Sequence, residues 1–120
     1  MSWTVEFHPL FNEEFRALTE TVQDKLFEGI GLLEEYGPQL GRPAVDTLQN
    51  SKHSNMKELR FDADGGVWRT AFAFDQERKA ILLVAGDKLG TNQKRFYRQL
   101  LRKADSRFDE HLRRLKETLP

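Results

Sequence analysis

The chain has 120 residues, enough for one domain, because a single hydrophobic core is usually built from roughly 100 to 200 residues. It contains no cysteine, which excludes disulfides, thiolate zinc sites and cysteine catalysis, and its three histidines lack the spacing of metal ligands. No apolar run approaches the roughly 18 residues that cross a bilayer, and the N-terminus lacks the pattern of a signal peptide. We therefore expect a single domain over residues 1–120 that is cytoplasmic, makes no membrane contact and uses no metal or cofactor.

The formal net charge is zero, but the charges are unevenly distributed along the chain. Residues 1–50 carry nine acidic and three basic side chains, whereas residues 51–120 carry ten acidic and 16 basic ones. The densest basic run extends from Lys88 to Lys103 and contains no acidic residue. Such an asymmetry indicates an anionic ligand on one part of the surface, and a solvated helix face is the structural alternative.

The first third of the chain predicts a strand followed by a helical hairpin. Apolar and polar residues alternate over positions 3–7, which is typical of a half-buried strand. From residue 10 to residue 33, apolar residues recur every three or four positions, as in helices that bury one face. Thr19 or Thr21 is expected to cap the second helix, and the Gly37-Pro38 pair to end it.

The sequence from residue 38 onward predicts a loop, three strands and a long helix. Residues 38–55 contain two prolines and no sustained period, so we expect a long loop, which is often functional in small domains. Three strand segments separated by turn residues follow, and they are Met56 to Asp62, Val67 to Asp75 and Ala80 to Ala85. An apolar stripe at helical spacing then extends from Tyr97 to the C-terminus. The predicted fold class is α+β, a small single domain with an N-terminal strand, a helical hairpin, a three-stranded antiparallel meander and a long C-terminal helix.

Basic side chains inside the predicted strands are the main signal of a functional site. Charge is costly to bury unless a partner is present, and Arg60 and Arg69 lie on successive strands. Lys88 follows the third strand and Tyr97 lies near the start of the last helix, so a meander would bring all four to one surface. Arginine offers bidentate donors to phosphate, lysine a point charge, and tyrosine a stacking surface and a hydroxyl. The structural alternatives are an ion pair with Asp62 or Glu58 for Arg60, a solvent-facing position for Arg69 and core packing for the tyrosine.

Four further titratable side chains bear on the site, and for most of them the sequence allows both a functional and a structural interpretation. Alternation along the first meander strand puts Lys57 on the face opposite to that of Glu58. Glu58 is either a general base or an ion-pair partner. His53 either donates a proton near pH 7 or is a polar surface residue, and His111 is expected to have a surface or capping role. From its pattern alone, the chain is an anion-binding α+β domain.

Five segments carry a resemblance to a known family, and they are LGRPAVDTL, SKHSNMKELRF, WRTAFAFD, ILLVAGDK and FYRQLLRKAD. Together with the order of elements, they resemble the RelE/HigB superfamily of type II toxin-antitoxin toxins, in its phage-related HigB-like branch. The similarity covers nearly the whole chain and is most specific over residues 56–61 and 80–88. It implies a small toxin with a RelE-like fold that cleaves mRNA, usually on the ribosome, and that a tightly bound antitoxin protein silences.

The resemblance also implies roles for individual residues. Arg60 and Arg69 would bind the scissile phosphate, and Lys57 would be a further phosphate ligand or an acid-base group. Lys88 and Tyr97 resemble the basic and tyrosine positions that follow the family's last strand. The better-known branches have a catalytic histidine near the C-terminus, whereas this chain ends in a long predicted helix, in which His111 is expected to have a surface or capping role. Further RNA contacts are expected from the basic run, at Lys94, Arg95, Arg98 and Arg102.

The implied chemistry is a metal-independent attack of the RNA on itself. A base takes the proton of the 2′-hydroxyl, the oxygen attacks the adjacent phosphorus, and an acid protonates the departing 5′-oxygen. Arginines would stabilise the negative charge of the pentavalent transition state. Candidates for the base are Lys57, Glu58 and Tyr97, and candidates for the acid are Lys88, Tyr97 and His53.

A different class of function is compatible with the same fold. The alternative is a non-catalytic toxin of the related ParE type, which inhibits a protein target such as gyrase. A third interpretation is a degenerate phage remnant that only binds its antitoxin. The discriminating feature is whether the strand arginines and Lys88 face one groove together with an acid-base pair, or are scattered and paired with carboxylates.

Overall fold

The computed structural model describes residues 2–118. The elements in chain order are β1 (Thr4–Phe7), α1 (Pro9–Arg16), α2 (Glu20–Tyr36), a short 3-10 helix (Gly37–Gln39), β2 (Val45–Thr47), β3 (Met56–Ala63), β4 (Gly66–Phe74), β5 (Lys79–Asp87) and α3 (Gln93–Glu117). The predicted α+β class is confirmed, with its opening strand, helical hairpin, meander and final helix. Within the described residues, none of the helices is both long enough and apolar enough to cross a bilayer.

All five strands form one sheet, in the order β1-β5-β4-β3-β2. Strands β3, β4 and β5 form the predicted antiparallel meander, while β1 lies parallel to β5 at the sheet edge. The apolar strand β5 is therefore paired on both sides, as expected of a segment that is buried on both faces. The register places Arg60 of β3 directly opposite Arg69 of β4, with Gly86 of β5 opposite Arg69 on the other side.

Helices cover both faces of this sheet, so the protein has two apolar cores. The core beneath the α1–α2 hairpin includes Phe11, Leu26, Ile30, Leu33, Leu59, Phe72 and Leu82. The core beneath α3 includes Met56, Ala71, Ala73, Ile81, Leu83, Phe96, Leu100 and Phe108. Neighbouring residues of a strand contribute to different cores because successive side chains point to opposite faces. At one end of the α3 face, polar side chains replace the apolar ones, and this is where the candidate site lies.

Capping residues explain where the helices begin and end. Thr19 is the N-cap of α2, and its hydroxyl accepts a hydrogen bond from a backbone N–H of the first turn. Gly37 ends α2 at a φ of 55°, and a side chain there would collide with the indole of Trp3, so this position requires glycine. Asn92 caps α3 by accepting a hydrogen bond from a backbone N–H of its first turn.

The prediction of one continuous loop over residues 38–55 is wrong in part. Val45–Thr47 form β2, which pairs antiparallel with β3 at the edge of the sheet. A strand of three residues is too short to produce a visible alternation, and the prolines that precede it favour irregular backbone. The segment therefore adds an edge strand beside the strand that carries Arg60.

Candidate active site

Glu58 is the centre of a polar cluster on the α3 face of the sheet. Its side chain is only 4% exposed, and a carboxylate is rarely buried this deeply unless it is paired. The hydroxyl of Tyr97 donates a hydrogen bond to Oε1 at 2.8 Å, and Nε of Arg60 donates one to Oε2 at 3.1 Å. Nε of Arg69 lies 3.7 Å from Oε1. One buried carboxylate thus gathers side chains from β3, β4 and α3, and we call these four residues the Glu58 cluster.

The local geometry of the strands explains why these side chains meet. Glu58 and Arg60 are two residues apart on β3, so they point to the same face. Arg69 is directly opposite Arg60 on β4 and therefore shares that face. Tyr97 lies on the side of α3 that packs against the sheet, where its ring contacts the apolar core. The cluster is thus a continuation of the α3 core in which the side chains are charged.

Lys88 lies next to the Glu58 cluster, just after the end of β5. Its Nζ is 5.8 Å from the centre of the Tyr97 ring, at the outer range of a cation–π contact. Two residues earlier, Gly86 lets α3 approach the sheet closely, since a Cβ there would lie 3.0 Å from the ring of Phe96. The structure therefore brings together the two strand arginines, the lysine and the tyrosine that the sequence singled out.

Lys57 does not belong to this group. Its cross-strand neighbours are Thr47 on β2 and Phe72 on β4, and Phe72 lies in the core beneath the α1–α2 hairpin. Because successive residues of a strand point to opposite faces, Lys57 faces away from Glu58. The structure therefore places Lys57 on the opposite face of the sheet from the other predicted site residues.

The environment of Tyr97 determines which proton transfer it can perform. Burial raises the pKa of its phenol, and the hydrogen bond to the Glu58 carboxylate raises it further, while Arg69 opposes these effects. Tyr97 therefore keeps its proton at neutral pH. In this site the phenol is a proton donor, whereas the carboxylate beside it is the group that can accept a proton.

Asp46 is a member of the site that the sequence did not reveal. It lies on β2 directly opposite Glu58, and its Oδ2 is 3.6 Å from Nη2 of Arg60. The hydrogen bond from Arg42 to the same oxygen holds the pKa of Asp46 below its usual range. The only sequence signal for this position would have been the register of β2, which is too short to predict.

A cavity of about 780 Å³ opens beside the Glu58 cluster, and its lining comes from the β2–β3 connection, β3 and the first turns of α3. Glu58, Arg60 and Tyr97 contribute to this lining, and so do the exposed bases Lys94 and Arg98. Among residues 2–118, no carboxylate lies within ion-pair distance of either base. The cavity is therefore accessible to solvent and bordered by unneutralised positive charge.

The four bases predicted to contact RNA do not share one surface. Lys94 and Arg98 line the cavity at the Glu58 cluster. Arg102 lies instead at a smaller groove of about 380 Å³, between α3 and the end of β5. Arg95 is exposed and lines neither of these two depressions. Only half of the predicted set is thus placed to contact a ligand held at the cluster.

His53, a candidate acid, has a different partner. Its Nε2 lies 2.8 Å from Oδ1 of Asp109, and its ring packs edge-on against Phe108 at 4.9 Å between centroids. His111 likewise pairs with a carboxylate, Asp75, at 2.8 Å. Both histidines connect α3 to neighbouring segments and are largely buried, so the surface position expected as the alternative for His53 and the surface or capping role expected for His111 are wrong.

Comparisons with known proteins agree with this architecture. Residues 13–109 match the family described as phage-derived Gp49-like proteins. The putative toxin HigB3 of Mycobacterium tuberculosis is 44% identical over 104 residues, which cover 87% of this chain and 89% of HigB3. The putative toxin HigB2 of the same organism is 39% identical over 121 residues, which cover 100% of this chain and 59% of HigB2. The chain thus spans about three fifths of the length of HigB2 and nearly all of HigB3.

Two solved structures share the fold at low sequence identity. The E. coli toxin RelE, as a double mutant in the free state, superposes with a TM-score of 0.62 at 15% identity, covering 89% of this chain and 98% of RelE. A chain of the RelE-RelB complex from Pyrococcus horikoshii OT3 gives a TM-score of 0.55 at 17% identity, covering 76% of this chain and 100% of that chain. With the family match and the two HigB relatives, these likenesses lead to one conclusion: the chain belongs to the phage-derived Gp49-like family, within the RelE/HigB type of toxins.

Proposed function

We propose that this protein is the toxin of a toxin-antitoxin system and that it inhibits translation and growth as an endoribonuclease that cuts mRNA at the Glu58 cluster. The observation that carries the proposal is the meeting of two arginines, one carboxylate and one tyrosine beside an open, basic cavity. The relatives named as putative HigB toxins support the toxin assignment. The acid-base pair within the same cluster favours an enzyme over a ParE-like toxin that only binds its target.

The arginines have unused capacity to bind an anion. Nε of Arg69 is buried and, within residues 2–118, has no hydrogen-bond partner, although buried polar groups are normally satisfied. Arg60 is one third exposed, so its remaining guanidinium donors face the cavity side of the cluster. A phosphate that enters the cavity would accept the free donors of Arg60, whose bidentate geometry suits phosphate oxygens. Arg69 lies behind the cavity lining and would act on the phosphate through its charge.

The reaction in this proposal uses Glu58 as the base. The carboxylate takes the proton of the RNA 2′-hydroxyl, the oxygen attacks the adjacent phosphorus, and the bond to the 5′-oxygen breaks. Arg60 and Arg69 stabilise the charge that develops on the phosphoryl oxygens. The products are a 2′,3′-cyclic phosphate and a 5′-hydroxyl.

Tyr97 supplies the proton that the departing 5′-oxygen needs. Its raised pKa keeps the phenol protonated until that step, and the ammonium of Lys88 near the ring favours the phenolate that then forms. The cluster is restored when Glu58 returns its new proton to Tyr97. The 2.8 Å hydrogen bond between these two residues is a direct path for this transfer.

The same proposal extends to partners and location. The P. horikoshii protein is described in a RelE-RelB complex, which supports an antitoxin as the partner of this chain. Lys94 and Arg98 beside the cluster would contact phosphates of mRNA or of the ribosome. The chemistry uses side chains of this chain without a metal, and a toxin that acts on translating ribosomes would work in the cytoplasm.

The variant Glu58→Gln tests whether the carboxylate is the base. Glutamine keeps the size of the side chain and an oxygen that accepts hydrogen bonds, but it cannot take the proton. We expect cleavage of mRNA to fall at least about 100-fold while the melting temperature stays within a few degrees, since general bases contribute about 10²- to 10⁴-fold. Glu117→Gln, at an exposed ion pair near the end of α3, is the matched control and should cleave normally.

Two results would contradict the proposal. Cleavage by Glu58→Gln at the rate of the unsubstituted protein would mean that Glu58 only positions the arginines and is not the base. Intact transcripts together with a collapse of DNA supercoiling, after induction in a bacterial host, would replace the nuclease with a ParE-like toxin.

A further inference from the structure

We propose that the part of the cavity beyond the Glu58 cluster is a subsite for a nucleobase, and that Gln49, Asn50 and Gln93 recognise this base in single-stranded RNA. The inference rests on the proposed cleavage at the cluster, to which it adds the residues that determine sequence preference. Three features support the subsite: the size of the cavity, the free amides on its wall and the fixed ends of the segment that carries two of them.

The cavity is larger than a phosphate requires. At about 780 Å³ it lies within the range of roughly 300 to 1,000 Å³ that is typical of small-molecule sites. The cluster provides only part of the lining. The remaining residues come from β2, from the β2–β3 connection and from α3, and they include Thr47, Gln49, Asn50, Gln93, Lys94 and Arg98. There is therefore room for a nucleoside next to the phosphate that the arginines would hold.

Three amide side chains in this lining are chemically suited to a base. An amide carries donors and an acceptor, and base edges present both kinds of group. Gln49, Asn50 and Gln93 are exposed, and none of them takes part in a side-chain hydrogen bond among residues 2–118. The amides of Gln23 and Asn55, in contrast, donate to backbone carbonyls and so have structural roles. The cavity amides retain their full hydrogen-bonding capacity for a ligand.

The segment that carries two of these amides is fixed at both ends. Leu48 is buried, and its backbone N–H donates to the carbonyl of Met56 at 3.0 Å. On the other side, the hydroxyl of Ser51 donates to Asp105 of α3 at 2.5 Å. Between these anchors, Asn50 adopts a φ of 70°, a left-handed conformation that asparagine tolerates better than most residues. A turn held in this way presents its amides with little loss of entropy on binding.

The test measures binding with probes that cannot be cut. Four hexanucleotides of 2′-O-methyl RNA, one for each base, lack the attacking hydroxyl, and their affinities are measured by fluorescence anisotropy. We expect the unsubstituted protein to bind the preferred base at least about 10-fold more tightly than the weakest, as one good bidentate contact allows. The triple variant Gln49→Ala, Asn50→Ala, Gln93→Ala should reduce this spread to less than about 3-fold, while phosphate contacts preserve most of the mean affinity.

Gln99→Ala is the matched control, because Gln99 is an exposed amide of α3 that lines the separate groove near Arg102. This variant should keep the preference of the unsubstituted protein. Equal affinity for the four probes before substitution, or an unchanged preference in a triple variant that is folded by circular dichroism, would overturn the subsite. Base-dependent binding with no cleavage of ordinary RNA would overturn the proposed nuclease and leave the subsite standing.

Discussion

The two halves of α3 differ in what their charged side chains contact. Within the described chain, the basic residues of the first half make no ion pair, and they are Lys94, Arg95, Arg98, Arg102 and Lys103. Four side chains of the second half pair with other segments, and these pairs are Arg107 with Glu14, Asp109 with His53 and Lys52, Glu110 with His8, and His111 with Asp75. The bases of the first half are therefore free surface charge, whereas the four paired side chains of the second half make structural contacts.

This difference separates the effects of substitution along one helix. A free base attracts phosphates over about 10 Å at moderate ionic strength, whereas Arg107 is held by Glu14 and by the backbone carbonyl of Leu83. Substitutions of the free bases in the first half should therefore change RNA binding and leave stability nearly unchanged. Substitutions in the second half should change stability and leave cleavage by the folded protein nearly unchanged.

The largest effect is expected at the Glu58 cluster, which the first half of α3 borders. Arg60→Ala should slow cleavage about 100- to 1,000-fold, because it removes one donor to the charge of the transition state. Some stability should be lost as well, because the Glu58 carboxylate is 4% exposed and keeps the hydrogen bond from Tyr97 but loses the one from Arg60, so the rates are compared per folded molecule. Cleavage rates and urea midpoints provide the two readouts.

Arg113→Ala is the control for this variant, since Arg113 is an exposed base in the second half with a weak ion pair to Glu117. It should cleave RNA normally. Normal cleavage by Arg60→Ala would contradict the assignment of the cluster as the phosphate site. A rate loss in Arg113→Ala of similar size would contradict the division between the halves of α3.

The next effect concerns Arg107, the most deeply held base of the second half. Its guanidinium makes two bonds to Glu14, at 2.8 and 2.6 Å, and a third to the carbonyl of Leu83 at 2.7 Å. Arg107→Met should lower the free energy of unfolding by about 3 kcal/mol, the lower end for a broken buried pair, because Glu14 is 43% exposed. Urea unfolding measures this loss, and cleavage per folded molecule should stay within about 3-fold.

Lys103→Met tests whether the fall in the free energy of unfolding of Arg107→Met comes from the lost contacts of Arg107 or only from removing a positive charge from α3. Lys103 is exposed and, among residues 2–118, lacks an ion-pair partner, so stability should change by no more than about 0.5 kcal/mol. Equal losses in the two variants would contradict the structural role of the second half.

A smaller effect should appear in the pH dependence of stability, through His8. Its ring is buried, Nδ1 accepts a hydrogen bond from the backbone N–H of Leu10, and Nε2 lies 3.1 Å from Glu110. Burial lowers the pKa of His8, an effect that Arg114 and Arg107 reinforce and Glu110 opposes. The pKa of His8 in the folded protein lies below the unfolded value of 6.5, so the fold is more stable when the ring is neutral. This contribution to the free energy of unfolding is complete above pH 6.5 and is lost as the pH falls through the folded pKa.

His8→Asn isolates this contribution, because asparagine keeps a side-chain oxygen that can cap α1 but does not titrate. The fall in melting temperature between pH 7.5 and pH 5.5 should be smaller in the variant than in the unsubstituted protein. An equal fall in both proteins would assign the pH dependence to other groups.

The smallest effect is expected in the salt dependence of RNA binding. Lys94→Gln with Arg98→Gln removes two of the bases that line the cavity, so the slope of log affinity against log salt should flatten by roughly 1.4 on single-stranded RNA. Arg113→Gln with Lys116→Gln removes two exposed bases from the second half and should leave the slope unchanged. An equal change in both pairs would mean that the whole helix acts as a diffuse basic surface.

Much of the fold followed from patterns that are long enough to read. The meander was predictable because each of its strands has at least eight residues, with clear alternation or apolar composition. Alternation places Arg60 with Glu58 on one face of β3, and the register of β3 against β4 then puts Arg69 on that same face. β2 and Asp46 were not predictable, because three residues define neither a period nor a register.

The candidate site was less predictable, because it depends on distances between elements. Glu58 was recognised as a base or an ion-pair partner, but only the packing of α3 reveals that it contacts Tyr97 and both arginines. The basic run from Lys88 to Lys103 likewise does not reveal which of its bases lie on the same side of α3. Each step of four residues rotates by about 40° around a helix, so Arg102 has turned about 80° from Lys94.

The central claim is that side chains of this protein cut RNA through the 2′-hydroxyl, and the chemistry of the product ends tests it most directly. Because the ribosome itself requires magnesium, the measurement uses a short RNA and a high concentration of purified protein in excess EDTA. The account predicts slow cleavage that leaves a 2′,3′-cyclic phosphate and a 5′-hydroxyl and that is absent in Glu58→Gln. Strict dependence on added metal, with a 3′-hydroxyl product, would contradict it.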